Sequence, residues 1–283
     1  MSLTGVQMEF LALEELKIKL AEARLSGEQI GFVPTMGALH EGHLAIIERA
    51  AKENHWAVVS IFVNPTQFNN REDLDKYPRT LTDDLRLLAH ISNLFVFQPD
   101  VAQVYPNELT FNPINLGQLA KVMEGKFRPG HFDGVVHVVH NLFLLVHPTR
   151  AYFGKKDYQQ LAIIRKLVQE YQFPIEVIAC ETTRSANGLA LSSRNKRLSN
   201  QGLIDALIIT KTLTFISKSK GFYSINEMRE QAVSYFSQGK LELEYLEFMN
   251  ELTLNPATSW DEPVVCFIAA YCEGIRLIDN LLV

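Results

Sequence analysis

Two histidines, His40 and His43, flank Gly42 where an apolar helical run begins. They follow Gly31-Phe32-Val33-Pro34-Thr35-Met36-Gly37-Ala38-Leu39, an apolar strand that Pro34 and Gly37 break into a turn. Backbone amides at a helix start carry partial positive charge and suit a phosphate group. Gly42 presents no side chain to obstruct a close approach, and the two imidazoles add donors aimed at the same place. Two histidines three apart on a helix are more often packed or solvated than catalytic. The strand before them and the helix-forming run 44–51 behind them reverse that weighting.

Further groups of the same kind recur along the chain. Asn64-Pro65-Thr66-Gln67-Phe68 follows the next β-branched run, and Tyr77-Pro78-Arg79-Thr80 opens a helix. Arg128-Pro129-Gly130-His131-Phe132 comes next, then Gly154-Lys155-Lys156-Asp157-Tyr158-Gln159-Gln160, and last Gly188-Leu189-Ala190-Leu191-Ser192-Ser193-Arg194-Asn195. Taken singly, Lys156 and Arg194 read as solvated surface charges. Thr82 reads as a helix N-cap, with Asp83 and Asp84 in the first turn explained equally by capping and by a metal role. His137 and His140 lie three apart on one helix near His131, but no carboxylate or thiolate completes a metal set there.

These groups need a frame, and the hydrophobic pattern supplies one. Helix-like 14–25, strand 29–33, helix 43–54 and the β-branched run 57–63 alternate, and the alternation continues to a strand at 175–179. Five strands with four intervening helical segments predict a parallel sheet with right-handed crossovers. Ligands of such sheets sit beyond the carboxyl ends of the strands. His40, His43, Asn64, Gln67, Lys156 and Asp157 all follow predicted strand ends, so they are expected to converge. After Thr183 the style changes to helices at 203–217 and 225–238 and strands near 243–249 and 264–270. The expectation is an α/β protein: a Rossmann-like parallel sheet with helices on both faces (residues 1–183) and a smaller α+β C-terminal lid domain (residues 184–283).

Composition narrows the function classes. The chain has 283 residues, 47% of them apolar and 21% charged, which is ordinary for a globular protein. A net charge of −5 and a pI near 5.9 argue against a nucleic-acid partner. No apolar run approaches the roughly 20 residues needed to span a bilayer, and the N-terminus lacks a signal-peptide pattern. Three cysteines, none in a Cys-x-x-Cys arrangement, fit a reducing cytoplasm.

In this order and spacing, the motifs strongly resemble those of the pantothenate synthetase (pantoate–β-alanine ligase) family, within the wider His-x-Gly-His nucleotidylyltransferases. The likeness extends to Arg276-Leu277-Ile278-Asp279-Asn280 near the end of the chain. It implies a two-step ligation, in which pantoate attacks the α-phosphorus of ATP and the amine of β-alanine then attacks pantoyl adenylate. It implies Mg²⁺ and a homodimer as well. The resemblance puts Met36, Gly37, His40, His43, Gly154, Lys155, Lys156, Asp157, Thr183, Leu191, Ser192, Ser193 and Arg194 at ATP. His43, His40, Lys156 and Arg194 would be the catalytic groups, with His43 the favoured proton donor, and Asn64, Gln67 and Gln160 would meet pantoate and β-alanine. Neutral amides suit pantoate because they do not form an ion pair that would blunt its carboxylate. Tyr77 and Arg79 read equally as helix-entry packing or as lining of the site, and Arg128 and His131 as contacts to β-alanine or as braces of their loop.

The chain also departs from the family pattern. Ser185-Ala186-Asn187 lacks the acidic pair common before Gly-Leu-Ala-Leu-Ser-Ser-Arg-Asn, His137 and His140 replace other residue types, and Cys272-Glu273-Gly274-Ile275 differs from the usual turn. Two other readings compete. A nucleotidylyltransferase acting on a phosphorylated acceptor would need more positive charge than Gln67 and Gln160 provide. A nucleotide sensor without turnover has the departures before Gly188 as its encouragement.

Overall fold

The computed structural model describes residues 8–68 and 71–283, so residues 1–7 of the expected first domain lie outside it. Two compact units are present: the described residues up to Lys155 together with Gln160–Glu181, and Lys156–Gln159 together with Thr182–Val283.

The first unit is built on a parallel sheet of six strands: β1 (Glu9–Phe10), β2 (Ile30–Thr35), β3 (Trp56–Ile61), β4 (Leu94–Phe97), β5 (Arg150–Gly154) and β6 (Glu176–Cys180). Their order is β1-β4-β3-β2-β5-β6. Between them run α1 (Leu13–Leu25), α2 (Glu41–Glu53), α3 (Arg71–Asp75), α4 (Leu81–Leu88), α5 (Val101–Val104), α6 (Met123–Phe127), α7 (His131–Val146) and α8 (Tyr158–Glu170). Alternation along the strands divides the core in two. Phe32, Val58, Phe95 and Phe153 face one layer with Leu16, Val139 and Ile164 of α1, α7 and α8. Val33, Val59, Val96 and Tyr152 face the other with Ile47 of α2 and Leu88 of α4. Each such side chain, fully buried, contributes about 1.5–3 kcal/mol. The sixth strand is an addition to the sequence reading: β1 is two residues long, too short for any periodicity, and is defined by its pairing with Phe95 and Val96 of β4.

The second unit is an antiparallel sheet of β7 (Glu242–Asn250), β8 (Val264–Cys272) and β9 (Ile275–Leu282), ordered β7-β8-β9. One face carries Cys266, Ile268, Ala270, Phe248 and Leu277 against α9 (Asn200–Asp205), α10 (Leu207–Ser219) and α11 (Ile225–Phe236). The sequence reading lacked β9 as a strand. Glu273 (φ 52) and Gly274 (φ 73) are both left-handed and join β8 to β9 as a two-residue hairpin loop, with Cys272 opposite Ile275. Positive φ at both loop positions matches the right-handed twist of paired strands. The departure at Cys272-Glu273-Gly274-Ile275 is therefore a turn that serves this hairpin. Among the described residues, no helix is long and apolar enough to cross a membrane.

Candidate active site

In the first unit, β2 runs into the histidine motif through a braced turn. The Thr35 hydroxyl donates to the Ser60 carbonyl (2.8 Å) and accepts from the Gly37 amide (3.2 Å). Gly37 (φ 74) and Ala38 (φ 50) are both left-handed, an arrangement that costs a non-glycine residue about 1–2 kcal/mol. Asp84 of α4 holds it in place. The carboxylate is 2% exposed; Oδ2 accepts from the Ala38 amide (3.0 Å), and Oδ1 from the Leu39 amide (2.8 Å) and the Thr80 hydroxyl (3.1 Å). Both carboxylate oxygens are thus engaged by the loop and by Thr80. The cap of α4 is Thr80, two residues before the Thr82 read from the sequence, and exposed Asp83 pairs with Arg86 at 3.0 Å.

His40 is the N-cap of α2, its Nδ1 accepting from the Gly42 amide at 3.1 Å. An accepting Nδ1 places the proton of the neutral ring on Nε2, which is therefore the donor nitrogen of this ring. Among the helix-start amides read as suited to a phosphate, that of Gly42 is engaged by this cap. The His43 ring lies with its centroid 4.1 Å from that of His40, tilted by 37°.

Residues following β3 meet the same turn. Thr35 and Ile61 are partners at the ends of β2 and β3, so both loops leave from one edge of the sheet. The Gln67 amide nitrogen donates to the Met36 sulfur at 3.0 Å, and Gln67 Oε1 accepts from Asn64 Nδ2 at 3.1 Å. Asn64 is 1% exposed. Its Nδ2 also donates to the Gly134 carbonyl (3.2 Å), while its Oδ1 accepts from the Thr66 amide and hydroxyl and from the Tyr105 hydroxyl (2.7 Å). Burial pushes the Tyr105 phenol up, so it stays protonated as a donor. His131 Nδ1 donates to the Gln67 carbonyl at 2.7 Å. A methyl group on Gly134 would sit 2.4 Å from the Thr66 carbonyl oxygen, so α7 approaches this loop as closely as a glycine permits.

The remaining candidates of this unit are spread over the end of β5, the start of α8 and the loops before α4 and α7. Gly154 ends β5, Lys155 pairs with Glu181, and half-buried Gln160 lies in the first turn of α8. Buried Tyr77 meets Phe68 edge-on at 5.7 Å, Arg79 is exposed, and Arg128 pairs with Glu124 at 3.4 Å.

The second unit holds the other candidates. The side chain of Lys156 is 16% exposed, with Nζ 3.7 Å from an Asp157 carboxylate oxygen. Residues 183–191 form a short hairpin: the Leu191 amide donates to the Thr183 carbonyl (3.0 Å), and the amides of Ser185 and Gly188 close its tip. Ser192 then caps the 3-10 turn Ser193–Arg197, its hydroxyl accepting from the Arg194 amide at 3.3 Å. Ser193 is buried within that turn.

His137 and His140 join an aromatic cluster within the first unit. His137 stacks on Phe111 at 4.2 Å and meets Tyr105 edge-on at 4.7 Å. The buried ring of His140 donates from Nδ1 to the Asn141 side-chain oxygen (2.8 Å) and packs on Tyr171. Burial, and then the neighbouring His140, hold the His137 pKa below its ordinary value. Among the described residues, no group of three or more His, Cys, Asp or Glu side chains could hold a metal ion.

Tyr105 is a participant that the sequence does not mark, and Asp84, a capping or metal candidate in the sequence, serves instead as the brace of the 37–39 turn. Asp84 is one of two adjacent acids with no local mark to separate them, and Tyr105 carries no motif signal at all.

The comparisons with known proteins agree with one another. The profile of the Pantoate-beta-alanine ligase family matches residues 10–282. The pantothenate synthetase of Cytophaga hutchinsonii is 46% identical over 278 residues, covering 96% of this chain and 98% of its own. A crystal structure of pantothenate synthetase from Thermus thermophilus superposes with a TM-score of 0.90 at 40% identity, covering 97% of this chain and 99% of that one. The ligase of Francisella tularensis, solved with β-γ ATP and β-alanine, gives a TM-score of 0.79 at 34% identity, covering 98% and 97%. A profile match over nearly the whole length, together with relatives this similar, places the chain in the pantoate–β-alanine ligase family.

Proposed function

We propose that this protein condenses pantoate with β-alanine at the expense of ATP, through pantoyl adenylate, releasing pyrophosphate and AMP. The observation that carries the reading is the braced turn 36–43, which presents His40 and His43 at the same sheet edge as Gln67. In the first step, His40 through Nε2 and His43 donate to phosphate oxygens as charge develops; removing one such preorganised donor costs about 10²–10³ in rate. Lys156 and Arg194, with Ser192, Ser193 and the Thr183 and Leu191 backbone, act on the same ATP molecule and its departing pyrophosphate. Met36, Gly37 and Gly154 admit the nucleotide, Lys155 adds charge, and Asp157 accepts from a ribose hydroxyl. Gln67 and Gln160 hold pantoate and β-alanine, and Asn64 acts by setting the Gln67 amide.

Mg²⁺ enters this proposal as the counterion of ATP. The Asp84 oxygens are taken by two amides and a hydroxyl, so the described residues build no cage for the ion, and the phosphates supply its ligands. The proposal also includes a cytoplasmic homodimer, measurable by light scattering, and a second unit that serves as a lid excluding water from the adenylate. Pantoate-dependent exchange of pyrophosphate into ATP tests the first step, and its absence from folded protein with Mg²⁺ present refutes the reading. His43→Ala and Lys156→Ala should each slow this exchange by at least about 10²-fold. Equal AMP release with and without β-alanine would count against the lid.

A further inference from the structure

Two consecutive residues of β9 hold two separate segments of the second unit. The Asn280 side-chain nitrogen donates to the Lys156 carbonyl at 2.8 Å. Asn280 is the register partner of Phe267, and Tyr158 packs edge-on against Phe267 at 5.7 Å, so the segment carrying Lys156 lies on that face of the strand. Asp279 points the other way, as adjacent strand residues must. Its carboxylate, 3% exposed, takes Arg184 in a two-pronged pair at 2.6 and 2.9 Å. Arg184 in turn donates to the Gly188 carbonyl (3.1 Å) at the tip of the hairpin that leads into Ser192, Ser193 and Arg194. The Asn280 amide donates to Asp279 Oδ1 at 2.8 Å, which ties the two grips together.

We propose that Asp279 and Asn280 are positioning residues for the adenylation step: they set the Lys156 backbone and the root of the Ser192–Arg194 loop in one rigid relation. Neither touches substrate; each acts through the residue it holds. The pair of grips lets one strand fix the distance between an ammonium and a guanidinium that lie 38 positions apart in the chain. Misplacing a group by about 1 Å in such a step costs on the order of 10²-fold in rate. Placing Lys156 and Arg194 at the phosphates is the reading on which this inference rests.

The test separates the two half-reactions in the full-length protein. Pyrophosphate exchange into ATP reads the first, and AMP release when β-alanine is added to chemically prepared pantoyl adenylate reads the second. Asn280→Ala and Asp279→Asn should lower the exchange kcat about 10- to 100-fold, with the second half-reaction held within about threefold of wild type. Equal losses in both half-reactions mark a merely structural role and overturn the proposal, as does wild-type exchange. Should Asp279→Asn fail to fold, Asn280→Ala, which removes the side-chain bond to the Lys156 carbonyl, decides the matter alone. Lys156→Ala is measured alongside. If it exchanges normally, the underlying placement fails; if it is impaired while Asn280→Ala is not, the positioning claim alone fails.

Discussion

Replacing Asp84 by Asn isolates the brace beneath the histidine motif. The two oxygens of Asp84 face different backbone donors, Ala38 at Oδ2 and Leu39 at Oδ1. An asparagine amide must therefore turn its NH₂ group toward one of those N–H groups, whichever way it is placed. One charge-assisted bond, worth about 1.5–3 kcal/mol, is lost, and a buried donor is left facing another donor. The turn it holds includes left-handed Ala38, whose conformation persists because the surroundings impose it. The expected destabilisation is about 2–4 kcal/mol. His40 is two residues beyond Ala38, so release of the turn displaces the N-cap and its Nε2 donor. The exchange of pyrophosphate into ATP should fall about 10²-fold. Urea unfolding measures the first quantity and the exchange assay the second. A variant with wild-type unfolding midpoint and exchange within about twofold of wild type would refute the bracing role of Asp84.

Other substitutions probe the second loop and the histidine cluster. Gly134→Ala forces a methyl against the Thr66 carbonyl, 2.4 Å away, and should destabilise by about 1–3 kcal/mol with weakened pantoate binding in calorimetry. Tyr105→Phe removes one donor to Asn64 and should cost about 0.5–1.5 kcal/mol, raising the KM of pantoate or β-alanine while leaving that of ATP unchanged. His137 has a lowered pKa relative to 6.5, so the unfolded chain takes up its proton first as the pH falls. Its contribution is complete above 6.5 and is lost as the pH drops from there toward the folded-state value. His137→Phe, which keeps a ring against Phe111, should lessen the fall in urea midpoint between about pH 7.5 and about pH 5.5.

The layers of the first unit were legible because they depend on short-range pattern. Apolar strands at 57–63 and 94–97, punctuated by proline, and amphipathic helices between them predict a parallel sheet, and the structure has one. The limits lay where pattern is brief or shared. β1 is two residues long, β9 hides behind a left-handed Glu-Gly turn, and the cap of α4 is Thr80 although Thr82 has the same hydroxyl. Motif residues such as Met36 and Gln67, separated by a strand and a helix, could be nominated by order along the chain, and their 3.0 Å contact is a product of register between β2 and β3.

By itself, the amino-acid order determined the kind of chemistry at hand: imidazoles at a helix start, neutral amides and cations after strands, and the succession of elements that carries them. Periodicity and turn preferences act over a few residues and need no knowledge of distant neighbours. The partners of buried polar groups were decided by the tertiary structure. Asp84 became the clasp of the 37–39 turn, and Asp279 the anchor of Arg184, because a buried carboxylate must be satisfied by whatever donors packing brings within reach. Those donors lie 45 to 95 positions away along the chain, a separation at which only the assembled sheets choose the neighbour.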